Sequence, residues 1–182
     1  FKWLLKQRWQ PDIRTVSPWF DNKNYIKALA LTIKKHLKDR DKIDKLVISF
    51  HGIPKRYFMA GDPYHCHCIK TARLLKEELK WPQNKVLVTF QSRFGPEPWL
   101  QPYTDETIIE LAKQGSKNIA LIAPGFISDC LETLEELNVE ARELFFENGG
   151  KTFQYIPCLN DNEYSIKFLN EIVKQNLFGW NN

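Results

Sequence analysis

His51 closes a short apolar run, Leu46 to Phe50, and stands directly before Gly52, which lets the backbone turn sharply and leaves the imidazole at the end of a strand. An imidazole there can take a proton near neutral pH, ligate a borderline metal, or merely cap the strand end through a hydrogen bond. Glu132, Glu136 and Glu140 are the second group, spaced i, i+4 and i+8 with Asp129 just ahead of them. On an α-helix these carboxylates line one face, and Leu134, Leu137, Ala141, Leu144 and Phe145 take the opposite one. An amphipathic helix accounts for Asp129 and Glu132, which suit the positive end of the helix dipole. It does not account for like charges at i,i+4 or for Glu143 and Glu147 near the negative end, with Arg142 the single base between Asp129 and Glu147. A row of carboxylates suits the passage of a divalent cation.

Other groups carry less. His65, Cys66, His67 and Cys68 have soft ligand types, but adjacent residues do not close round one tetrahedral ion, so the run reads as a helix start. Neither glycine-rich phosphate loop occurs, nor GxSxG, which removes support for ATP, NAD and a serine nucleophile. Trp99 in PEPW and Phe126 after Pro124-Gly125 either pack in a core or offer flat apolar surface at the mouth of a site. Beside His51 and the acidic row, the second role describes a flat apolar ligand and a metal ion. Lys2, Lys6 and Arg8 alternate with Trp3, Leu4, Leu5 and Trp9 in a terminal helix that is solvated, touches an anionic membrane surface, or packs on a part of the protein outside this sequence.

The elements that would position these residues follow from periodicity. Strands are expected at Ile13 to Val16, Leu46 to Phe50, Val86 to Phe90, Asn118 to Ile122 and Thr152 to Ile156. Helices are expected at Tyr25 to Leu37, Cys68 to Lys80, Asp105 to Gln114, Asp129 to Asn148 and Asn162 to Leu177. LVISF, VLVTF and IALIA are nearly continuous apolar runs, the mark of strands covered on both faces of a parallel sheet. The expectation is a doubly wound, Rossmann-like α/β fold with helices on both faces, whose ligand site lies outside the carboxyl ends of the strands. The loops there begin at His51, Gln91 and Pro124, and they hold most of the prolines, which stiffen them.

The 182 residues suffice for one compact domain over 1–182 without disulfide or metal staples. A net charge of +4 is too mild to imply nucleic acid, and no apolar stretch is long enough to span a membrane or act as a signal peptide. Four cysteines without a secretory signal read as reduced thiols in the cytoplasm. The charge is uneven: residues 1–45 hold twelve Lys or Arg against five Asp. The opening Phe1 suggests processing or a piece of something longer.

SFHGIPKRYFMAGDPY, VTFQSRFGPEPWLQPYTDET, IAPGFISDCLETLEEL and YIPCLN, in this order and at these spacings, resemble the C-terminal half of bacterial ferrochelatases, which insert Fe2+ into protoporphyrin IX to form protoheme. The resemblance runs from about Trp9 to Val173. It implies one of two similar Rossmann-like domains with the porphyrin between them, and hence an N-terminal domain, absent here, as the partner wall. The family's metal-site histidine falls on His51 and its essential glutamate on Glu132, which the resemblance makes the catalytic pair, joined by Glu136 and Glu140 for metal passage or proton removal. It implies porphyrin contacts at Trp99, Phe126, Ser92, Arg93 and Asp129, and sets Trp9 near the metal entry. Fe2+ is then a substrate, no tightly bound cofactor is expected, and nothing after Cys158 can supply the [2Fe-2S] ligands of some relatives. The resemblance also leaves open a peripheral contact with the inner face of the membrane. The rival expectations are a non-catalytic fragment that binds porphyrin or metal, and a homodimeric small cobalt or nickel chelatase; LETLEEL and QSRFGPEPW favour ferrochelatase.

Overall fold

The computed structural model describes residues 1–37 and 39–180. Four of the five expected strands form one sheet: β1 (Lys45–His51), β2 (Val86–Gln91), β3 (Asn118–Ile122) and β4 (Thr152–Ile156). All are parallel, in the order β2-β1-β3-β4, with Leu46 opposite both Val86 and Ala120. The fifth expectation is corrected: Ile13 to Val16 joins no strand, and Ile13 and Val16 remain 50% and 43% exposed. Prolines at 11 and 18 confine any ladder there to a few residues, and neither edge of this sheet receives them.

The helices are α1 (Lys23–His36), α2 (Lys55–Met59), α3 (Tyr64–Leu79), α4 (Thr104–Lys113), α5 (Ala141–Glu147) and α6 (Glu163–Asn176), with a π-helical segment, Glu132–Glu140, running directly into α5. Asn22 and Asn162 cap α1 and α6, each accepting from the backbone N–H groups two and three residues on. Side-chain alternation sorts the strands between two cores. Leu46, Ile48 and Phe50 of β1 and Ala120 and Ile122 of β3 meet α1, α3 and α6, while Val47, Ile119 and Leu121 meet α4 and α5. Helices therefore cover both faces. Among the described residues no helix is long and apolar enough to cross a membrane.

The expected helix from Asp129 starts later and winds differently. An α-helix turns the i+4 row by about 40° per step. The wider i→i+5 turn swings that row back the other way. Thr133, Leu137, Ala141 and Phe145 thus stay buried at intervals of four, from the π-helical segment into α5. Leu134, expected on the buried face, is turned out to 49% exposure.

Candidate functional site

On β1 the face that carries Val47 toward α4 and α5 also carries Ser49 and His51; on β2, Leu87, Thr89 and Gln91 share it. At the carboxyl end of that face the apolar core gives way to a buried polar cluster. Ser49 Oγ bonds Gln91 and lies 2.8 Å from Thr104 Oγ1, which donates to Thr89 Oγ1 at 2.9 Å. This cluster fixes the end of β1 against β2 and the start of α4. Above it opens a cleft of ≈ 420 Å³, lined by Gln91, Ser92, Asp105, Glu132, Glu136 and Glu140 among others. The π-helical winding is what brings the three glutamates to one wall.

His51 is half-buried at the tip of β1. Its Nδ1–H donates to the Gly52 carbonyl at 2.7 Å, which in the neutral ring leaves the Nε2 lone pair free for a proton or a metal. Its own carbonyl accepts from the Tyr64 hydroxyl at 2.8 Å, so the residue is held from both sides of the turn. Glu132 is fully exposed, and its carboxyl is held below the ordinary range by a hydrogen bond from Cys130, then by its own backbone, with the neighbouring His51 adding a smaller electrostatic pull. Glu136 is clamped by Ser92: the backbone N–H donates to one carboxylate oxygen at 2.8 Å and the hydroxyl bonds the other. Ser92 adopts φ +62° to aim both groups at one carboxylate, a conformation that a non-glycine residue rarely takes. Glu140 is exposed farther along the same wall.

Gly52 is required for close approach. A Cβ there would lie 2.9 Å from the Gln91 carbonyl, which accepts the Gly52 N–H at 2.7 Å, and 3.2 Å from the Trp99 ring. Gly52→Ala is expected to lower stability by about 1–3 kcal/mol in urea denaturation, because the backbone of β2 cannot yield as a flexible side chain would.

The remaining expected site residues are distributed. Trp99 lies half-buried across Gly52, its indole N–H donating to the Phe94 carbonyl at 2.9 Å; backbone bonds from Lys55 to Pro98 and from Leu100 to Ile53 zip its loop to the one after His51. Phe126 is also half-buried and packs against the α4/α5 core beside Leu87 and Tyr155. The Arg93 guanidinium pairs in bidentate fashion with Asp105, 3.0 Å at each oxygen, and lies over the Tyr103 ring. Asp129 spends both oxygens inside the fold. It accepts from Tyr155 OH at 2.7 Å, Thr133 Oγ1 at 3.1 Å, the Cys158 N–H at 3.3 Å and Asn160 Nδ2 at 2.7 Å, tying the loop after β3 to that after β4. The expected contact of Asp129 with the macrocycle thus competes with a structural role for the same carboxylate.

The His-Cys-His-Cys run lies in the first turns of α3 and its rings face different neighbours: His67 stacks on Phe20 at 3.7 Å and His65 packs between Phe58 and Phe90. Cys68 is buried, and burial pushes its thiol up to about 12. Among the described residues no three His, Cys, Asp or Glu side chains converge on one ion position. Glu132, Glu136 and Glu140 therefore form a series along the cleft wall rather than a closed cage, because they succeed one another along a helix, while His51 stands outside the cleft lining at the tip of β1, near enough to Glu132 to act on its charge. The buried Ser49, Thr89, Gln91 and Thr104 were not singled out in the sequence; polar residues at alternate positions near the ends of LVISFH and VLVTFQ are the signal that marks them.

A sequence model of the ferrochelatase family matches residues 1–177. The ferrochelatase of Rhizobium meliloti is 60% identical over 181 residues, 99% of this chain and 53% of that protein. That of Teredinibacter turnerae is 49% identical over 175 residues, 96% of this chain and 48% of its own length. The chain thus spans about half the length of the curated relatives it matches. Among solved structures, SirB from Bacillus subtilis with Fe3+ has the same fold, with a TM-score of 0.60 over 88% of this chain and 56% of its own, at 16% identity. With a family match across nearly its whole length and relatives at that level of identity, the chain belongs to the ferrochelatase family.

Proposed function

We propose that this chain is the metal-handling half of an enzyme that inserts Fe2+ into protoporphyrin IX, and that residues 1–182 act as a single α/β domain in it. The observation that carries the reading is the state of His51: Nδ1 is committed to the Gly52 carbonyl and Nε2 has no hydrogen-bond partner among the described residues, beside a Glu132 carboxyl that stays ionised. Insertion breaks two pyrrole N–H bonds and forms metal–nitrogen bonds, so two protons must leave as the dication enters. A neutral imidazole and ionised carboxylates next to the ring nitrogens lower the barrier to that exchange. His51 acts as proton acceptor or transient ligand and Glu132 as its ionised partner, while Glu136 and Glu140 extend the carboxylate series away from them. Trp99, Phe126, Ser92 and Arg93 supply contacts to the macrocycle, and Asp129 serves this site through the loops it joins. Fe2+ is consumed as substrate. The reading includes no resident cofactor and no [2Fe-2S] cluster, and the free cysteines suit the reducing cytoplasm.

The test is anaerobic insertion of Fe2+ or Zn2+ into protoporphyrin IX, followed by absorbance and fluorescence. The chain is assayed alone and joined to the part of the Rhizobium meliloti ferrochelatase that it does not match. Metalloporphyrin from the joined protein and little or none from the isolated chain is the expected result. A folded joined protein that binds porphyrin and inserts nothing, while the natural relative turns over, overturns the proposal.

A further inference from the structure

β1 runs on past one of its neighbours. Its register with β3 ends at Ile48 opposite Ile122, while its register with β2 continues to His51 opposite Gln91. The peptide that joins His51 to Gly52 donates its N–H to the Gln91 carbonyl at 2.7 Å, on the β2 side. That peptide is trans, so its C=O points the opposite way, into the place that β3 has left. After β3 the chain turns at Pro124-Gly125, with the Phe126 N–H bonded back to the Ala123 carbonyl at 3.2 Å, and Pro124 has no N–H to offer. The His51 carbonyl would be an orphaned acceptor at a half-buried strand end. The Tyr64 hydroxyl, brought there by the first turn of α3, donates to it at 2.8 Å. The Tyr25 hydroxyl of α1 bonds the Pro124 carbonyl in the same way, so tyrosines from two helices close the strand ends on this side.

The orientation of this one peptide governs the imidazole. His51 Nδ1–H reaches only as far as the next carbonyl, that of Gly52, so the ring and the backbone of these two residues form a short closed loop. Gly52 has no side chain to brace that loop, and the Gln91 carbonyl and the Trp99 ring leave no room for one. Its position is set by what grips the peptide at its two ends: Gln91 on β2 and Tyr64 on α3. Tyr64 is a firm support. Its backbone N–H donates to Asp62 Oδ1 at 2.8 Å and its ring packs against the core formed with α1, α3 and α6. It lies across the sheet from the glutamate cleft, in the wall of a separate cavity of ≈ 260 Å³ with Phe50, Cys68 and Pro124. Any effect of its hydroxyl on chemistry in the cleft passes through the His51 backbone, and a displacement of about 1 Å in a reacting group can cost about a hundredfold in rate.

We propose that Tyr64 is a positioning residue for His51: from the far face of the sheet its hydroxyl holds the His51–Gly52 peptide, and so keeps the ring proton on Nδ1 and the lone pair on Nε2. The rate measurement below rests on the role given to His51 above; the ring measurement does not. Nitrogen NMR of the chain with labelled histidine, at about pH 9 where an ordinary imidazole is neutral, reads the tautomer. The unmodified chain should hold His51 in the Nδ1–H form, and Tyr64→Phe should shift it to a mixture with the Nε2–H form. In the chain joined to the unmatched part of the Rhizobium meliloti ferrochelatase, Tyr64→Phe should lower kcat for metal insertion by about tenfold to a hundredfold and leave KM for the porphyrin within about twofold. In a His51→Ala background the same substitution should cost nothing more, because the group it orients is gone. An unshifted ring in Tyr64→Phe overturns the proposal. So does an equal loss of rate with and without His51, or a Tyr64→Phe chain that does not fold, either of which would assign the hydroxyl to the fold alone. A joined protein that is inactive throughout, or one that keeps its full rate in His51→Ala, counts against the function proposed above, and the ring measurement then decides the part of Tyr64 by itself.

Discussion

Replacing His51 with alanine in the joined full-length protein should reduce metal insertion by a factor of about 10²–10⁴, the range over which a positioned acid–base group accelerates a proton transfer. The fold should scarcely register the change. The ring is half-buried and, among the described residues, its one hydrogen bond goes to the adjacent residue's carbonyl, so truncation costs about 1 kcal/mol. If His51 only capped the strand end, the variant would instead keep its rate and lose stability, and paired insertion and urea-denaturation measurements separate the two. Glu132→Gln tests the other member of the pair. Because the Glu132 carboxyl is held below the ordinary range, it is ionised throughout the neutral region, and its protonation contributes no loss of rate above about pH 5. A pH–rate profile whose acid limb, below the ordinary carboxylate range, vanishes in Glu132→Gln would show that the carboxylate acts in the chemical step.

Much of the scaffold was legible because buried parallel strands have a simple signature. LVISF, VLVTF and IALIA lie between helices, and each became a sheet strand within a residue or two of its expected ends. TFQYI did the same at the β4 edge. Ile13 to Val16 has equally good strand residues and failed, because composition reports what a segment can pair as, and pairing needs an edge within reach.

The candidate site was legible in the positions of its prominent residues and less so in the groups that support them. His51 at a strand end and the four-residue spacing of glutamates could be read directly, but the winding of the acidic helix could not be read from the glutamates alone. The telling pattern is the coincidence of two rows: Glu132, Glu136 and Glu140 beside Thr133, Leu137, Ala141 and Phe145, each stepping by four without the threes that an α-helix interleaves. Reading Leu134 and Leu144 as core obscured it. The Ser49, Thr89, Gln91 and Thr104 cluster was hidden for a related reason, since a run judged by its overall apolarity conceals a polar residue at every second position.

Asp129→Ala should cost about 3 kcal/mol, a large part of the 5–15 kcal/mol that holds an ordinary domain together. The aspartate oxygens receive hydroxyl, amide and backbone donors from four residues, and its removal leaves Tyr155, Asn160 and the Cys158 N–H without that acceptor where the loops after β3 and β4 meet. The pH dependence identifies the charge as the agent. Burial raises the Asp129 carboxyl, but the bonds from Tyr155, Asn160 and Cys158 outweigh it, and the net displacement is downward. A carboxyl bound more tightly as its anion in the folded state adds stability above its unfolded value near 3.9, and loses that increment as the pH falls through the lower folded value. The gap between the unmodified protein and Asp129→Ala should therefore be constant from about pH 5 to 7 and narrow below about pH 4. Tyr155 remains a donor throughout, since burial foremost, and Asp129 after it, push its hydroxyl far up. Urea denaturation at pH 3, 4, 5 and 7 checks this, and a gap that stays the same down to pH 3 would mean that the packing of the side chain, not its charge, joins the two loops.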